Sequence, residues 1–212
     1  MEARRVFEGT TSLVLREGRD WAWIGLDSVD GLHRLTMATL EALDRLLAGL
    51  RAQGKARIAL SGAPWMEGRA CHFSAGADLH EVLALDALGA EPFARRGQRI
   101  MDHLVWRGWR TLTVISGAAM GGGCDLALHG QERWGVEGLR LRHPAAKHGI
   151  LTGFGGTVRL PELLGAEGAA RLFRRLETWD EGQALHAGAT QRVLKPSEVV
   201  AAVGAWLEAG PT

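Results

Sequence analysis

The sequence predicts an α/β layered domain, on three observations. Short apolar runs of strand length alternate with longer amphipathic segments along the chain. Glycine and small residues bound the strand-like runs, whereas the longer segments space their leucines at helical intervals. No internal repeat, low-complexity tract or Pro/Ser linker divides the 212 residues, so they read as one domain. A chain of this length buries a substantial core without staples.

The elements follow in order. "TSLVLREGRDWAWIGL" alternates and turns at Glu17-Gly18-Arg19-Asp20, which reads as a hairpin. In "TMATLEALDRLLAGLRAQG", Leu40, Leu43, Leu47 and Leu50 share one face, Glu41 and Arg45 pair at i,i+4, and Gly54 stops the helix. "ARIALSG" is a short buried strand, followed by the long loop "APWMEGRACHFSAGAD". Asp78 and Glu81 have the form of a capping box opening a helix at "LHEVLALDAL". "EPFARRGQRIMDHLVW" is a second helix, with Phe93, Ile100 and Leu104 inward. "TLTVISG" is another buried strand, and "LRLRHPAA" a strand leaving toward a loop. "GFGGTVRLPELLG" and "EGAARLFRRL" predict short helices. Thr178 and Glu181 form a further capping box before "GQALHAG". Pro196 opens the last helix and Gly210 lies past its end.

Composition removes several function classes. The net charge is +1, which gives no bulk basicity for nucleic acid and no acidic tail. Eight Trp follow no single period and lack interleaved Lys and Arg, so they read as packing rather than a base-stacking platform. No window reaches eighteen apolar residues, and no apolar segment follows the N-terminal arginines, so neither a membrane span nor a secretory signal is expected. Cys71 and Cys124 lack CxxC spacing, which points to a reducing cytoplasm; with His72 they make at most a partial zinc set, so no metal is expected. "GFGGTVRL" is not a dinucleotide fingerprint after a strand, and "HFSAG" is not a nucleophile elbow.

In "ISGAAMGGGCDLAL" an apolar run breaks into Gly121, Gly122 and Gly123, then an acid, then a helix. Such glycines serve either a tight turn of positive φ or the close approach of a ligand to a helix N-terminus. First-turn N–H groups lack helical partners and suit a developing oxyanion. "CHFSAGADL" is a second small-residue loop with a helix behind it. Two such loops can present one N–H each to a single oxygen, the geometry that holds an enolate.

"HFSAGADLHEV", "ISGAAMGGGCDLAL" and "LTGFGGTVRLPELLG", in this order and spacing, resemble the three signature segments of the crotonase (enoyl-CoA hydratase/isomerase) superfamily. "ARLFRRLETWDEGQALHAGATQRVL" resembles the segment that follows them, so the likeness runs from about Val14 onward. It implies a crotonase-like α/β spiral of ββα units with flanking helices and a shortened C-terminal helical region. Residues 1–190 would be the core, and residues 191–212 a short strand and helix of the same domain. The likeness also implies a homo-oligomer, usually trimeric, and a site for an acyl-CoA or other acyl thioester, with coenzyme A part of the substrate rather than a cofactor.

By position, the two oxyanion N–H groups belong to Ala77 and Gly122, with Ala75, Asp78, Gly121 and Arg34 in the substrate-binding segments. Asp125 matches the first of the family's two glutamates; it is one methylene shorter, about 1.5 Å of reach. It also reads as a dipole-favoured acid in a first helical turn. Ala145 stands in place of the second glutamate. His143, Lys147 and His148 share that loop and His72 flanks the first segment; His148 is the candidate acid/base among them. "VDGLHRLT" departs from the family's CoA-cradling segment at Val29, His33 and Arg34.

The expected function is therefore enolate chemistry on an acyl thioester by a lyase or isomerase other than a standard two-glutamate hydratase. Decarboxylation and hydrolysis are included. The alternatives are a non-catalytic partner or regulatory subunit of the same fold, and an enzyme for carrier-protein-bound acyl groups in a biosynthetic pathway.

Overall fold

The computed structural model describes residues 2–209, so Gly210, the expected helix stop, lies outside the described residues. Strands β1 (Arg4–Phe7), β2 (Ser12–Glu17) and β3 (Trp21–Asp27) form an antiparallel meander. The expected hairpin is β2–β3, closed by Gly18 N donating to Trp21 O at 3.0 Å. β1 adds to the expected elements; its two arginines give no apolar alternation to read.

From β3 onward the chain repeats one passage: a long strand, a very short strand, then a helix. β4 (Arg34–Leu35) and α1 (Met37–Ala52) complete the first round. β5 (Arg57–Gly62), a 3-10 turn at Ala63–Glu67, β6 (Gly76–Ala77), α2 (Leu79–Ala84) and α3 (Ala87–Leu104) form the second. β7 (Arg110–Ile115), β8 (Ala118–Met120) and α4 (Gly122–Leu128) follow. The next round is β9 (Glu132–Val136), β10 (Arg140–Arg142), a 3-10 turn at Pro144–His148 and α5 (Gly156–Phe173). β11 (Thr178–Trp179), α6 (Glu181–His186), β12 (Arg192–Leu194) and α7 (Val199–Glu208) complete the described chain. The long strands build one sheet in the order β1-β2-β3-β5-β7-β9-β12, parallel from β3 on. The short strands form two small sheets, β11-β10-β8 and β4-β6. This is the spiral of ββα units that the signature segments implied.

Both faces of the large sheet are covered, which is why its strands read as nearly continuous apolar runs. Alternation persists underneath: Ile58 and Leu60 of β5 face the helical side, and Ala59 faces the other. The helical side buries Leu40, Leu43 and Leu47 of α1 with Ile100 and Leu104 of α3. The opposite side holds Trp23, Trp65, Trp134 and Trp206, with Val199 and Val203 of α7. The buried indole N–H groups find partners there: Trp23 Nε1 donates to Ser61 Oγ at 2.8 Å and Trp65 Nε1 to Ser116 Oγ at 2.7 Å.

Three helix boundaries differ from expectation. α2 stops at Ala84 because Leu85 turns extended, and Asp86 then caps α3 by accepting from Gly89 N. Asp78 does cap α2, but the Glu81 carboxylate turns away to Met37 N at 2.8 Å instead of closing the box. The box assigned to Thr178 and Glu181 is made by Asp180 and Gln183, since Thr178 is held in β11 against Arg142. The two short helices expected after "GFGG" are the halves of α5, broken at Gly165, which has φ +71°.

Both cysteines are free thiols. Burial pushes the Cys71 thiol up to about 12 and the Cys124 thiol well above its ordinary value. Iodoacetamide at pH 8 should therefore leave both unmodified in folded protein and label both in urea, read by intact mass. Leu60→Ala, in the middle of the sheet, should cost about 2–5 kcal/mol, read as a lowered urea midpoint.

Candidate functional site

The site is assembled by main-chain bonding between two loops. After β5 the chain returns at Phe73 and Ser74, where Ser74 N donates to Ala118 O at 3.0 Å and Met120 N donates to Ser74 O at 2.9 Å. Ser74 thereby bridges in parallel to Ala119. Its buried hydroxyl donates to His33 O at 2.7 Å and accepts from Gly76 N at 3.1 Å, fixing the turn that follows. Gly76 has φ +90°, and a Cβ there would lie 2.3 Å from Met120 O and 3.0 Å from Gly122 N. Only glycine permits this approach.

The result places Ala77 N against Gly122: a Cβ built on Gly122 would lie 3.5 Å from it. Gly122 opens α4, whose N-cap Gly121 has no side-chain cap. The first intrahelical bond is Asp125 N to Gly121 O, so the N–H of Gly122 precedes the helical ladder. Ala75, Ala77, Gly121 and Gly122 border a cavity of about 310 Å³. Its remaining wall is mainly apolar, including Val82, Leu85, Phe93, Ile150 and Phe154, with Leu79 and Leu151 exposed beside them. The Phe93 and Phe154 rings lie 5.4 Å apart.

Asp125 does not border the cavity; its side chain is fully buried behind it. Thr152 Oγ1 donates to Asp125 Oδ2, and His143 Nε2 lies 3.2 Å from Asp125 Oδ1. Both partners border the cavity. The approach of His143 is short but does not have hydrogen-bond geometry. The Asp125 carbonyl accepts from the ring N–H of His129 at 2.7 Å, and burial holds the His129 pKa below its usual value. Gly156 makes room for the carboxylate, because a Cβ there would stand 1.9 Å from Oδ1.

The other sequence candidates separate. His148 and Ala145 border the cavity from the 3-10 turn, with His148 exposed; Lys147 is exposed and outside the lining. Asp78 accepts from His80 N and Glu81 N as the α2 cap, and Arg34 pairs with Asp30 and lies 3.9 Å from Asp78, so neither borders the cavity. His72 is exposed and accepts from Ala118 N at 3.0 Å. Thr152 was not among the sequence candidates: it bonds to Asp125 across 27 residues, and no local spacing marks it. Among the described residues, no three His, Cys, Asp or Glu side chains gather to hold a metal, and no helix is long and apolar enough to cross a membrane.

Gly156→Ala should drive the new methyl into Asp125. We expect a loss of about 1–3 kcal/mol from overpacking, read by urea unfolding.

Residues 57–209 match the family profile of enoyl-CoA hydratase/isomerase. The structure of Pseudomonas aeruginosa DspI is similar, with a TM-score of 0.85 and 27% identity over 95% of this chain and 75% of that one. A further Pseudomonas aeruginosa protein is 30% identical over 94% of this chain and 85% of its own, with a TM-score of 0.80. The enoyl-CoA hydratase from Bacillus anthracis shares the fold, with a TM-score of 0.82 at 24% identity over 94% of this chain and 76% of that one. With its spiral of ββα units and this match over most of its length, the chain belongs to the enoyl-CoA hydratase/isomerase, or crotonase, family.

Proposed function

We propose that the protein is an enzyme that binds an acyl thioester and stabilises its enolate between the N–H groups of Ala77 and Gly122. The observation that carries this reading is the convergence of those two backbone segments at the edge of an apolar cavity. Each is fixed by main-chain bonds before any ligand arrives, so little reorganisation is needed when charge develops on the thioester oxygen. Removing one such donor typically costs about 2.7–4 kcal/mol of transition-state stabilisation. The apolar wall suits the acyl group, and coenzyme A enters as part of the substrate. Ala145 offers no acid where the family has its second glutamate, so crotonyl-CoA hydration by two glutamates is not the expected reaction.

A second reading concerns delivery. Arg34, the cation nearest the family's CoA-cradling segment, is already engaged by Asp30 and Asp78. That favours an acyl group carried on a protein-bound pantetheine over one recognised through the nucleotide phosphates.

The test is α-hydrogen exchange in D₂O, followed by mass spectrometry, with matched acyl-CoA, acyl-pantetheine and acyl-carrier thioesters. Exchange above a buffer blank is the expected result. Equal rates for pantetheine and CoA esters would favour carrier delivery. Folded protein that exchanges none of them would rule out α-proton abstraction and leave decarboxylation or a binding role.

A further inference from the structure

The buried wall of the cavity carries a ring that two glycines admit. Phe154 borders the cavity and is wedged between α3 and the start of α4. A Cβ on Gly97 would stand 2.1 Å from Phe154 Cδ1, and one on Gly122 would stand 2.8 Å from Cε2, on the opposite edge of the ring. That same point beside Gly122 is 3.5 Å from Ala77 N, so the ring edge reaches the place where the two donor segments converge. The backbone of the ring is held as well. Gln98 Nε2 donates to Gly153 O at 2.7 Å, and Phe154 N donates to Thr152 Oγ1 at 3.3 Å. Phe93 and Phe154 are 6% and 3% exposed, against 42% for Leu79 and 75% for Leu151. The leucines therefore mark the mouth of the cavity, and the two rings belong to its buried wall.

We propose that Phe154 is the specificity-determining residue of this site and that it selects acyl groups unbranched at the α-carbon. The inference rests on the acyl-thioester reading above. A carbonyl oxygen bonded to both N–H groups lies about 2.9 Å from each nitrogen. The carbonyl carbon is about 1.2 Å further on, and the α-carbon about 1.5 Å beyond that. A ring packed on Gly122 therefore meets the first carbons of the acyl group rather than the end of its chain. With the thioester sulfur toward the mouth, a straight chain lies flat along the buried wall. A substituent on the α-carbon would instead have to displace Phe154. The ring has no room to yield, because Gly97 backs one edge, Gly122 the other, and the Phe93 centroid stands 5.4 Å away. Close-packed side chains resist such intrusion. Gly97 is the positioning residue, since its missing side chain sets how far the ring lies back into α3.

The probes are two isomers, pentanoyl and 2-methylbutanoyl, each as its CoA and its pantetheine thioester. They contain the same atoms and differ only in where the last carbon sits. Calorimetry gives Kd for each on wild type, Phe154→Ala, Phe154→Leu and Gly97→Ala, and thermal midpoints show that each protein is folded. We expect wild type to favour the straight isomer by about 10–200-fold, the range for one methylene in an apolar pocket. Phe154→Ala should bring the isomers close to equality, chiefly by tightening the branched one, and Phe154→Leu should fall between. Gly97→Ala, whose methyl drives the ring toward Gly122, should weaken the branched isomer further. Wild type that binds both isomers equally overturns this inference alone. So does a preference that persists unchanged in folded Phe154→Ala and Phe154→Leu, or an equal gain for both isomers, which a roomier cavity without selection near the carbonyl would give. Folded wild type that binds no thioester in either form overturns the acyl-thioester reading and this inference together.

Discussion

The parallel main-chain bonding of Ser74 to β8 is the constraint on which the site depends. It takes two loops that leave neighbouring strands of the large sheet and sets their backbones in fixed register. Once Ser74 N and O are paired with Ala118 and Met120, the next three residues have little choice. Gly76 must pass against Met120, and Ala77 must face the first residue of α4. The N–H groups of Ala77 and Gly122 are therefore part of a hydrogen-bonded framework, whose position does not vary with side-chain rotamers. Ser74 strengthens this through its hydroxyl, which ties the turn to His33 and so to β4, the short strand beside β6.

The sequence makes legible the parts whose signal is local. α1 announces itself through leucines at helical spacing, and β5 and β7 through apolar runs that both faces of the sheet require. The two-residue strands β4, β6 and β11 carry no pattern of their own, because a partner distant in sequence specifies each of them. The same physics moved the α6 cap: Thr178 is a sound cap by composition, but pairing with Arg142 claims it for a strand and leaves Asp180 to the helix. At the site, the glycine run and Asp125 stand out because a small-residue break followed by an acid is a local event. That Asp125 would sit behind the wall, between Thr152 and His143, depends on where β10 and α5 are packed, which no window around Asp125 encodes.

Placing a carboxylate at zero exposure beneath an apolar cavity has a steep desolvation cost unless partners compensate. Here compensation is partial and asymmetric. Thr152 satisfies one oxygen, the adjoining imidazole approaches the other, and Gly156 supplies the space in which both meet. The carboxylate already meets the backbone of Gly156 at the start of α5, where even a methyl group would collide with it, so the short side chain of an aspartate fits this position. Within the cavity, the backbone of Ala77 and Gly122 lies along one wall, and of this cluster only Thr152 and His143 border the space.

The distribution of indoles has an optical consequence. Trp23, Trp65, Trp134 and Trp206 gather on the face of the sheet beneath α7, and no tryptophan borders the cavity. The intrinsic emission from that cluster is thus a gauge of how tightly the C-terminal helix seals its side of the sheet. A ligand in the cavity touches no indole, but Trp109 and Trp179 lie in the core on its side of the sheet, so the total emission reports on both faces and only the α7 cluster's share reads the C-terminal seal.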